Sequence, residues 1–556
     1  MTDERLETDV LIIGGGVSGL NAALTAAQSG CSVVVMDKAV IERSGHISGG
    51  VDHFAAYLET GPDWDTRKAY LDFTARSARG ATDISVVEKV YCEELGTALR
   101  RFDEIGCTLK RSDGSLFRTQ SYGQPGPWWI NFNGKRLKPL LAQAVRQAGC
   151  RVLDRAVVGD LLVSNGAVCG AVGFHIRTGA FYVVHANSVL LATGGTNRLF
   201  QNPTGLSFNC WMCPADTGDG EAMAFRAGAG LANVEYLRMT LIPRGFSAAG
   251  LNAMVGMGGK LVNGSGEDFM WRYDPLGIKG PRYKLVQGVL GELKAHRGPV
   301  YLDCRHLDPE DRRHLVTTLS YDKDTLPEYF QQKKIDLSQS LMEIFTSEGM
   351  QGGPNEVCGS GIKIDADCAS SLPDLYAAGN SADQCRSLHM AFTSGIRAGR
   401  STAARAAEKK GKKEPLPEHR IREIRERLFA PLAESRSVSW REFEEVLQRT
   451  LTEGMGTVRS EWGMQKAWRN LDLLEEWKDR VKAETFHDLC RVQEVYNMLT
   501  VARCMISAAQ FRKESRFGPC HFRLDFPEPD DLRFLGQVVV RKGADTEIQT
   551  AFLPLP

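Results

Sequence analysis

The sequence predicts an α/β fold: a Rossmann-like domain interrupted by a second, mixed α+β domain and followed by a helical C-terminal domain. Three observations carry this. A strand, a glycine-rich turn, an alanine-rich helix and a second strand follow one another within 30 residues from Asp9 to Lys38. Strand-plus-glycine segments of the same kind return at Ser188–Gly195 and Leu375–Asn380, with a differently patterned stretch between them. Beyond His419 the apolar residues fall at helical spacing, with several tryptophans among them.

Val10–Ile13 is a short branched apolar run, as a buried parallel strand requires. Gly14, Gly16 and Gly19 then spell G-x-G-x-x-G. Gly14 permits the tight turn, Gly16 lets backbone approach a pyrophosphate, and Gly19 lets the helix pack close to the strand. Val17 and Ser18 complete the helix start, whose N–H groups and dipole favour phosphate. The helix stops near Gly30, and Ser32–Met36 reads as the second strand. Asp37 ends that strand 18 residues after Gly19, where an acid can bind ribose hydroxyls, and Lys38 follows it. Strand, turn, helix, strand and acid in this order make a dinucleotide-binding unit.

The 556 residues suffice for two or three domains. Basic and acidic residues balance at 68 each, so nothing suggests a nucleic-acid footprint, and no nucleic-acid partner is expected. No apolar run reaches the roughly 18 residues that span a bilayer, and the polar N-terminus does not read as a signal peptide. A cytoplasmic protein is expected, able to sit on a membrane through a partner but not to insert itself. The 14 cysteines show no run of cluster ligands. Cys210 and Cys213 form the one C-x-x-C, read as two packed thiols in a loop, with a redox dithiol or half a metal site as alternatives.

Ser44, Gly45, Gly49 and Gly50 lie in a small-residue loop, Arg43–Phe54, against which a flat ring system can lie. Helical sequence follows from about 63 to 103 and again over Lys135–Gln147. Residues 157–173 and 179–185 read as a β-meander. Ala192, Thr193 and Gly194 end the next strand, and Asp219 stands at a helix start that offers N–H groups. Gly379 and Asn380 end a later strand, and Ser394 and Gly395 are expected to open a helix running to Lys409, its N-terminus facing the ring. Expected boundaries are 1–240 and 351–410 for the two parts of the dinucleotide domain, 241–350 for the inserted domain, and 411–556 for the helical domain and tail.

With these motifs, Tyr301–His306 and the Arg512–Asp525 segment, the chain resembles the flavoprotein-subunit superfamily of fumarate reductase, succinate dehydrogenase, aspartate oxidase and adenylylsulfate reductase over nearly its whole length. The resemblance implies FAD as the dinucleotide and a capping role for the inserted domain. The Arg43–Gly50 loop most resembles the adenylylsulfate reductase branch. Where respiratory members carry a histidine that holds FAD covalently, this chain has Gly45, so non-covalent FAD is expected. Arg305 matches the arginine taken as proton shuttle, and His389 is the candidate general acid. The dicarboxylate clamp is largely missing: Thr240 and Glu348 stand where relatives have histidines, and Val255–Gly259 replaces an arginine-bearing loop. Fumarate turnover is therefore not expected. The implied activity moves two electrons between flavin N5 and a small anionic substrate, in a hetero-oligomer with a ferredoxin-like iron–sulfur subunit. A stand-alone oxidase or dehydrogenase of the aspartate oxidase type, and a flavin relay subunit without its own substrate, are the alternatives.

Overall fold

The computed structural model describes residues 3–248, 250–322, 324–544 and 547–555. Its central sheet contains β1 (Asp3–Ile13), β2 (Val33–Asp37), β3 (Arg151–Asp154), β4 (Ala156–Ser164), β5 (Ala167–His175), β6 (Phe181–Leu191) and β7 (Leu375–Ala377). The spatial order is β3-β2-β1-β6-β5-β4, with β7 also pairing β6. β1 pairs in parallel with β2 from Val10↔Val33 and with β6 from Asp3↔Phe181 to Ile13↔Leu191. The apolar runs are buried on both faces, which is why they carry no polar alternation.

Two elements extend further than the pattern alone suggests. β1 begins at Asp3, because the polar stretch before Val10 finds ladder partners in Phe181–Ala186. The segments read as the last meander strand and the Ser188 strand are one strand, β6. Its first half pairs antiparallel with β5 and its last residues pair parallel with β7. That switch of partners opens the sheet beside the C-terminal ends of β1 and β6, where α/β folds bind their ligands.

Helix α1 (Val17–Gln28) packs on α3 (Ser387–Glu408), and between them in sequence α2 spans Asp219–Ala227. The α1–α3 approach is backbone-close. A Cβ at Gly395 would lie 2.3 Å from the Ser18 carbonyl oxygen, and one at Gly399 would lie 2.7 Å from that of Ala22. α3 begins at Ser387, seven residues before the expected start, so Ser394 and Gly395 sit inside the helix rather than at its N-terminus.

A second apolar cluster runs from Met239 to Ile344 and takes in Ala55, Tyr122 and Trp129. It surrounds a four-stranded sheet with the order Leu241–Pro243, Met342–Thr346, Tyr301–Asp303, Lys260–Val262. Gly50 joins this unit to the first: at φ +149° a Cβ there would meet the Asp322 carbonyl oxygen at 2.3 Å.

The C-terminal helices are α4 (Trp440–Met455), α5 (Glu461–Trp477) and α6 (Phe486–Phe511). Ser439 and Glu442 form a capping box at α4, and the side chains of Ser460 and Thr485 cap α5 and α6. The tail, after a short helix at Asp531–Phe534, ends in strands. Gly536–Lys542 and Ile548–Pro554 form a hairpin that adds to Leu231–Ala232 and Gly361–Ile362 in a separate sheet. Buried Arg512 ties this end down by donating to Glu235 and Glu514, each at 2.7 Å. No helix of the described residues is long and apolar enough to cross a membrane.

Candidate active site

One large cavity starts at the C-terminal ends of β1 and β2 and extends to the start of α3. At the first end, Gly14 holds φ +102°, and a Cβ there would clash with the Ala192 carbonyl oxygen at 2.4 Å. Gly19 has no room either, because a Cβ would fall 1.9 Å from the Gly14 carbonyl oxygen. Gly16 differs: the nearest protein atom to its Cβ position is 3.8 Å away, so its missing side chain serves the cavity it lines. Val17 and Ser18, in the first turn of α1, line the cavity too. This is a cradle that a side chain would fill, facing the unsatisfied end of a helix, and it fits a pyrophosphate.

Asp37 lines the cavity with both carboxylate oxygens accepting backbone N–H groups, from Gly15 at 2.6 Å and Ala39 at 2.7 Å. Lys38 also lines it but is committed to ion pairs with Asp219 at 2.7 Å and Glu494 at 3.1 Å. Burial alone would weaken the Lys38 charge; the two carboxylates outweigh it and hold the ammonium charged. Ser44, Gly45, Ala192, Thr193, Gly194, Asp219 and Asn380 are on the wall as well. Asp216 joins them, its carboxyl pushed up to about 7 by burial.

The remaining expected cofactor residues act from behind the wall. The Gly379 N–H donates to Ser394 Oγ at 3.0 Å, which holds the turn that presents Asn380. Gly19, Gly379 and Gly395 supply close packing against α1 and its preceding turn. Gly50 packs on Asp322, and Gly49 is exposed.

The two expected catalytic residues are not brought into the cavity. Arg305 is on the surface, its Nε and Nη2 both donating to the Asp303 carboxylate, at 3.0 and 2.9 Å. A strand end followed by an exposed turn places it there. His389 is buried inside α3, with Nε2 3.1 Å from the Tyr70 hydroxyl and aromatic rings around it. Burial lowers its pKa to about 3, so it is a neutral, packed imidazole. Met239, Met257 and Met390 belong to the cores rather than the cavity wall.

What lines the far end instead is a group of arginines. Arg238, Arg282 and Arg386 all face the cavity and are buried. Arg238 makes a two-pronged contact with Glu356 at 2.9 and 2.8 Å. Arg282 donates to Glu356 at 2.6 Å, to Thr240 at 2.7 Å and to Asn252 at 2.7 Å. Thr240, expected from the resemblance to stand at the place of a family histidine, accepts from Arg282 and so anchors an arginine. Glu348 likewise serves the wall, accepting from the Trp211 N–H at 2.9 Å. Arg386 makes no ion pair within 4 Å among the described residues, and its Nη2 has no hydrogen-bond partner there. Burial and the Arg238 charge depress its pKa. The three guanidinium groups share one directly paired carboxylate, Glu356, and Arg386 is the one left without an ion pair among the described residues. Trp211, on the same wall, has an indole N–H with no partner among the described residues.

Arg386 is identifiable in the sequence as the arginine immediately before the last helix of the dinucleotide domain, once that helix is started at Ser387. Asp52 and His53 also line the cavity and follow the glycine loop directly. Cys213 is on the wall, while the Cys210 thiol donates to the Ser207 carbonyl at 3.5 Å and is pushed up to about 12 by burial. No disulfide joins them.

Comparisons with known proteins agree with this geometry. Residues 9–395 match the family described as FAD binding domain, and residues 444–555 match the family described as Fumarate reductase flavoprotein C-term. The chain is 29% identical to L-aspartate oxidase of Streptomyces coelicolor, over 97% of this chain and 92% of that protein. It is 27% identical to a chain of the fumarate reductase (CoM/CoB) of Methanothermobacter marburgensis, over 95% of this chain and 96% of that one. Its fold superposes on adenosine-5-phosphosulfate reductase in complex with sulfite with a TM-score of 0.90 at 23% identity, covering 100% of this chain and 97% of that one. The glycine cradle, the cavity and these matches together place the chain in the FAD-binding-domain family, as an FAD-dependent oxidoreductase of the fumarate reductase flavoprotein type.

Proposed function

We propose that this chain transfers two electrons between N5 of non-covalently bound FAD and a small anionic substrate held by Arg386, Arg282 and Arg238. One observation carries the reading: Arg386 is buried on the cavity wall, and among the described residues its Nη2 has no partner and no carboxylate pairs with it. A buried cation without an ion partner is costly, and an anion entering the site removes that cost. The names of the relatives point the same way, since L-aspartate, fumarate and sulfite are all small anions.

FAD, when bound, supplies a ring that takes or gives an electron pair. Gly14, Gly16, Val17 and Ser18 would hold its pyrophosphate, and Asp37 its ribose. Ala192–Gly194 and Asn380 would border the rest of the cofactor. Arg282 and Arg386 orient the anion, and Glu356 keeps Arg238 and Arg282 fixed at their shared edge. Residues 241–350 act as the cap that excludes water from this pocket. A sulfur oxyanion such as adenylylsulfate is favoured over a dicarboxylate, because the second, histidine-lined clamp is replaced by Thr240 and Glu348. Electrons reach or leave the flavin through a separate ferredoxin-like iron–sulfur subunit in a hetero-oligomer, cytoplasmic or peripheral to the membrane through that partner.

The test is a viologen-linked assay of the FAD-loaded protein with adenylylsulfate and with fumarate, and a sulfite titration followed by flavin absorbance. Turnover or flavin perturbation by the sulfur oxyanion is expected. A protein that reduces fumarate and ignores both sulfur anions contradicts the substrate class. The aspartate oxidase match supports a second reading, a stand-alone oxidase, which oxygen uptake with L-aspartate by the isolated chain would reveal.

A further inference from the structure

His53 and Asp52 stand side by side on the cavity wall. The His53 Nδ1–H donates to Asp52 Oδ1 at 2.5 Å. The ring stacks on Trp129, with centroids 4.0 Å apart and planes 23° from parallel. Trp129 meets Tyr122 edge-on at 5.4 Å, and the Arg282 guanidinium lies over the Tyr122 ring at 4.3 Å. The imidazole is therefore one aromatic stack away from the arginine cluster. With Nδ1 engaged, Nε2 remains, and it has no hydrogen-bond partner among the described residues.

We propose that His53, oriented by Asp52, is the proton donor to the substrate held at the arginine cluster. Asp52 is a positioning residue: it fixes the tautomer and the ring plane. Reduction of an unsaturated anion needs a hydride and a proton, and that of a sulfur oxyanion an electron pair and a proton. FAD, when bound and reduced, would supply the hydride or the pair. The proton leaves Nε2 as its N–H bond breaks and a new bond to the substrate atom forms. The imidazole is left neutral and is recharged from solvent. Oxidation runs the same transfer backwards, with neutral Nε2 as the base.

The surroundings favour the charged form of the ring. Burial works against the imidazolium, but Asp52 on the same loop, Glu356 among the arginines and Asp322 at the end of the helix Pro309–Asp322 outweigh it. His389 behind it in α3 is neutral, and Arg238, Arg282 and Arg386 oppose the charge from the far side.

This inference rests on the anion site proposed above, so its test separates the two. The FAD-loaded full chain, labelled with [13C]histidine, is titrated by NMR as wild type, His53→Gln and Asp52→Asn. The His53 signal should titrate above the ordinary imidazole range, and Asp52→Asn should lower it while the ring remains. Sulfate affinity, read from flavin absorbance, should fall as pH rises through that titration in the wild type and stay flat in His53→Gln. On whichever substrate the wild type turns over, His53→Gln should lower kcat by about 10²-fold, the usual worth of a general acid, with little change in KM. An imidazole that is neutral above pH 6, or a sulfate profile unchanged by His53→Gln, overturns the proposal. If sulfate perturbs no form at any pH, the arginine-cluster reading fails instead, and the NMR titration still decides the His53 proton. Should His53→Gln lose FAD, Asp52→Asn carries the test, since an unshifted imidazole there refutes it.

Discussion

Arg386→Met should move ligand affinity and stability in opposite directions. The side chain is 2% exposed, has no ion partner among the described residues, and leaves Nη2 unpartnered. Methionine keeps much of the volume and removes the charge. A charge-assisted hydrogen bond to an anion contributes about 1.5–3 kcal/mol, and each 1.4 kcal/mol is about tenfold in affinity. Binding of sulfite or sulfate should therefore weaken by about 10- to 150-fold at matched FAD content. Stability of the anion-free protein should hold or rise, by about 1 kcal/mol or more, because an uncompensated buried cation is gone. Glu356 stays satisfied through Arg238 and Arg282, so no carboxylate is orphaned. Flavin absorbance titration reads the first effect and a denaturation midpoint the second. Unchanged anion affinity together with a lower midpoint would show that Arg386 is structural and refute the reasoning.

Other predictions follow from the same geometry. Gly395→Val places a side chain 2.3 Å from the Ser18 carbonyl oxygen; the forced separation of α1 and α3 should cost about 1–3 kcal/mol or more and lower FAD retention, measured by flavin-to-protein absorbance. Burial raises the Asp216 carboxyl to about 7 and the Glu221 carboxyl to about 8, both above their unfolded values. Their contribution to stability is therefore fully present near pH 4 and lost as pH rises toward 8. A midpoint series of the FAD-free protein should decline over that window, and Asp216→Asn with Glu221→Gln should flatten the decline. Acid precipitation should leave the flavin in the supernatant, since the position of the covalent histidine is Gly45; yellow colour in the pellet would contradict this.

The dinucleotide unit is legible in the sequence because each of its glycines answers a local demand. Gly14 and Gly19 have no room for a Cβ and Gly16 makes room for a ligand, so pattern and structure coincide. The catalytic end is not legible in that way. Arg238, Arg282 and Arg386 lie far apart in sequence and meet only when the Met239–Ile344 core closes on the sheet. Arg305 carries a motif match, yet Asp303 two residues before it accepts from its Nε and Nη2 and holds it outside. The pattern misplaces the start of α3 because Ser394, Gly395 and Gly399 read as a glycine-rich helix opening. Their smallness serves the contact with α1 instead. The C-terminal hairpin carries a short branched run at Val538–Val540, but its partners at Leu231–Ala232 lie far away in sequence and are not legible from that run.

The most direct measurement is an experimental structure of the FAD-loaded protein soaked with sulfite. The account predicts the isoalloxazine ring between the Ala192–Gly194 turn and the start of α3, with the anion within hydrogen-bond distance of Arg386 and Arg282 and facing His53. A ring that itself fills the arginine pocket, or sulfite bound away from it, would contradict the account.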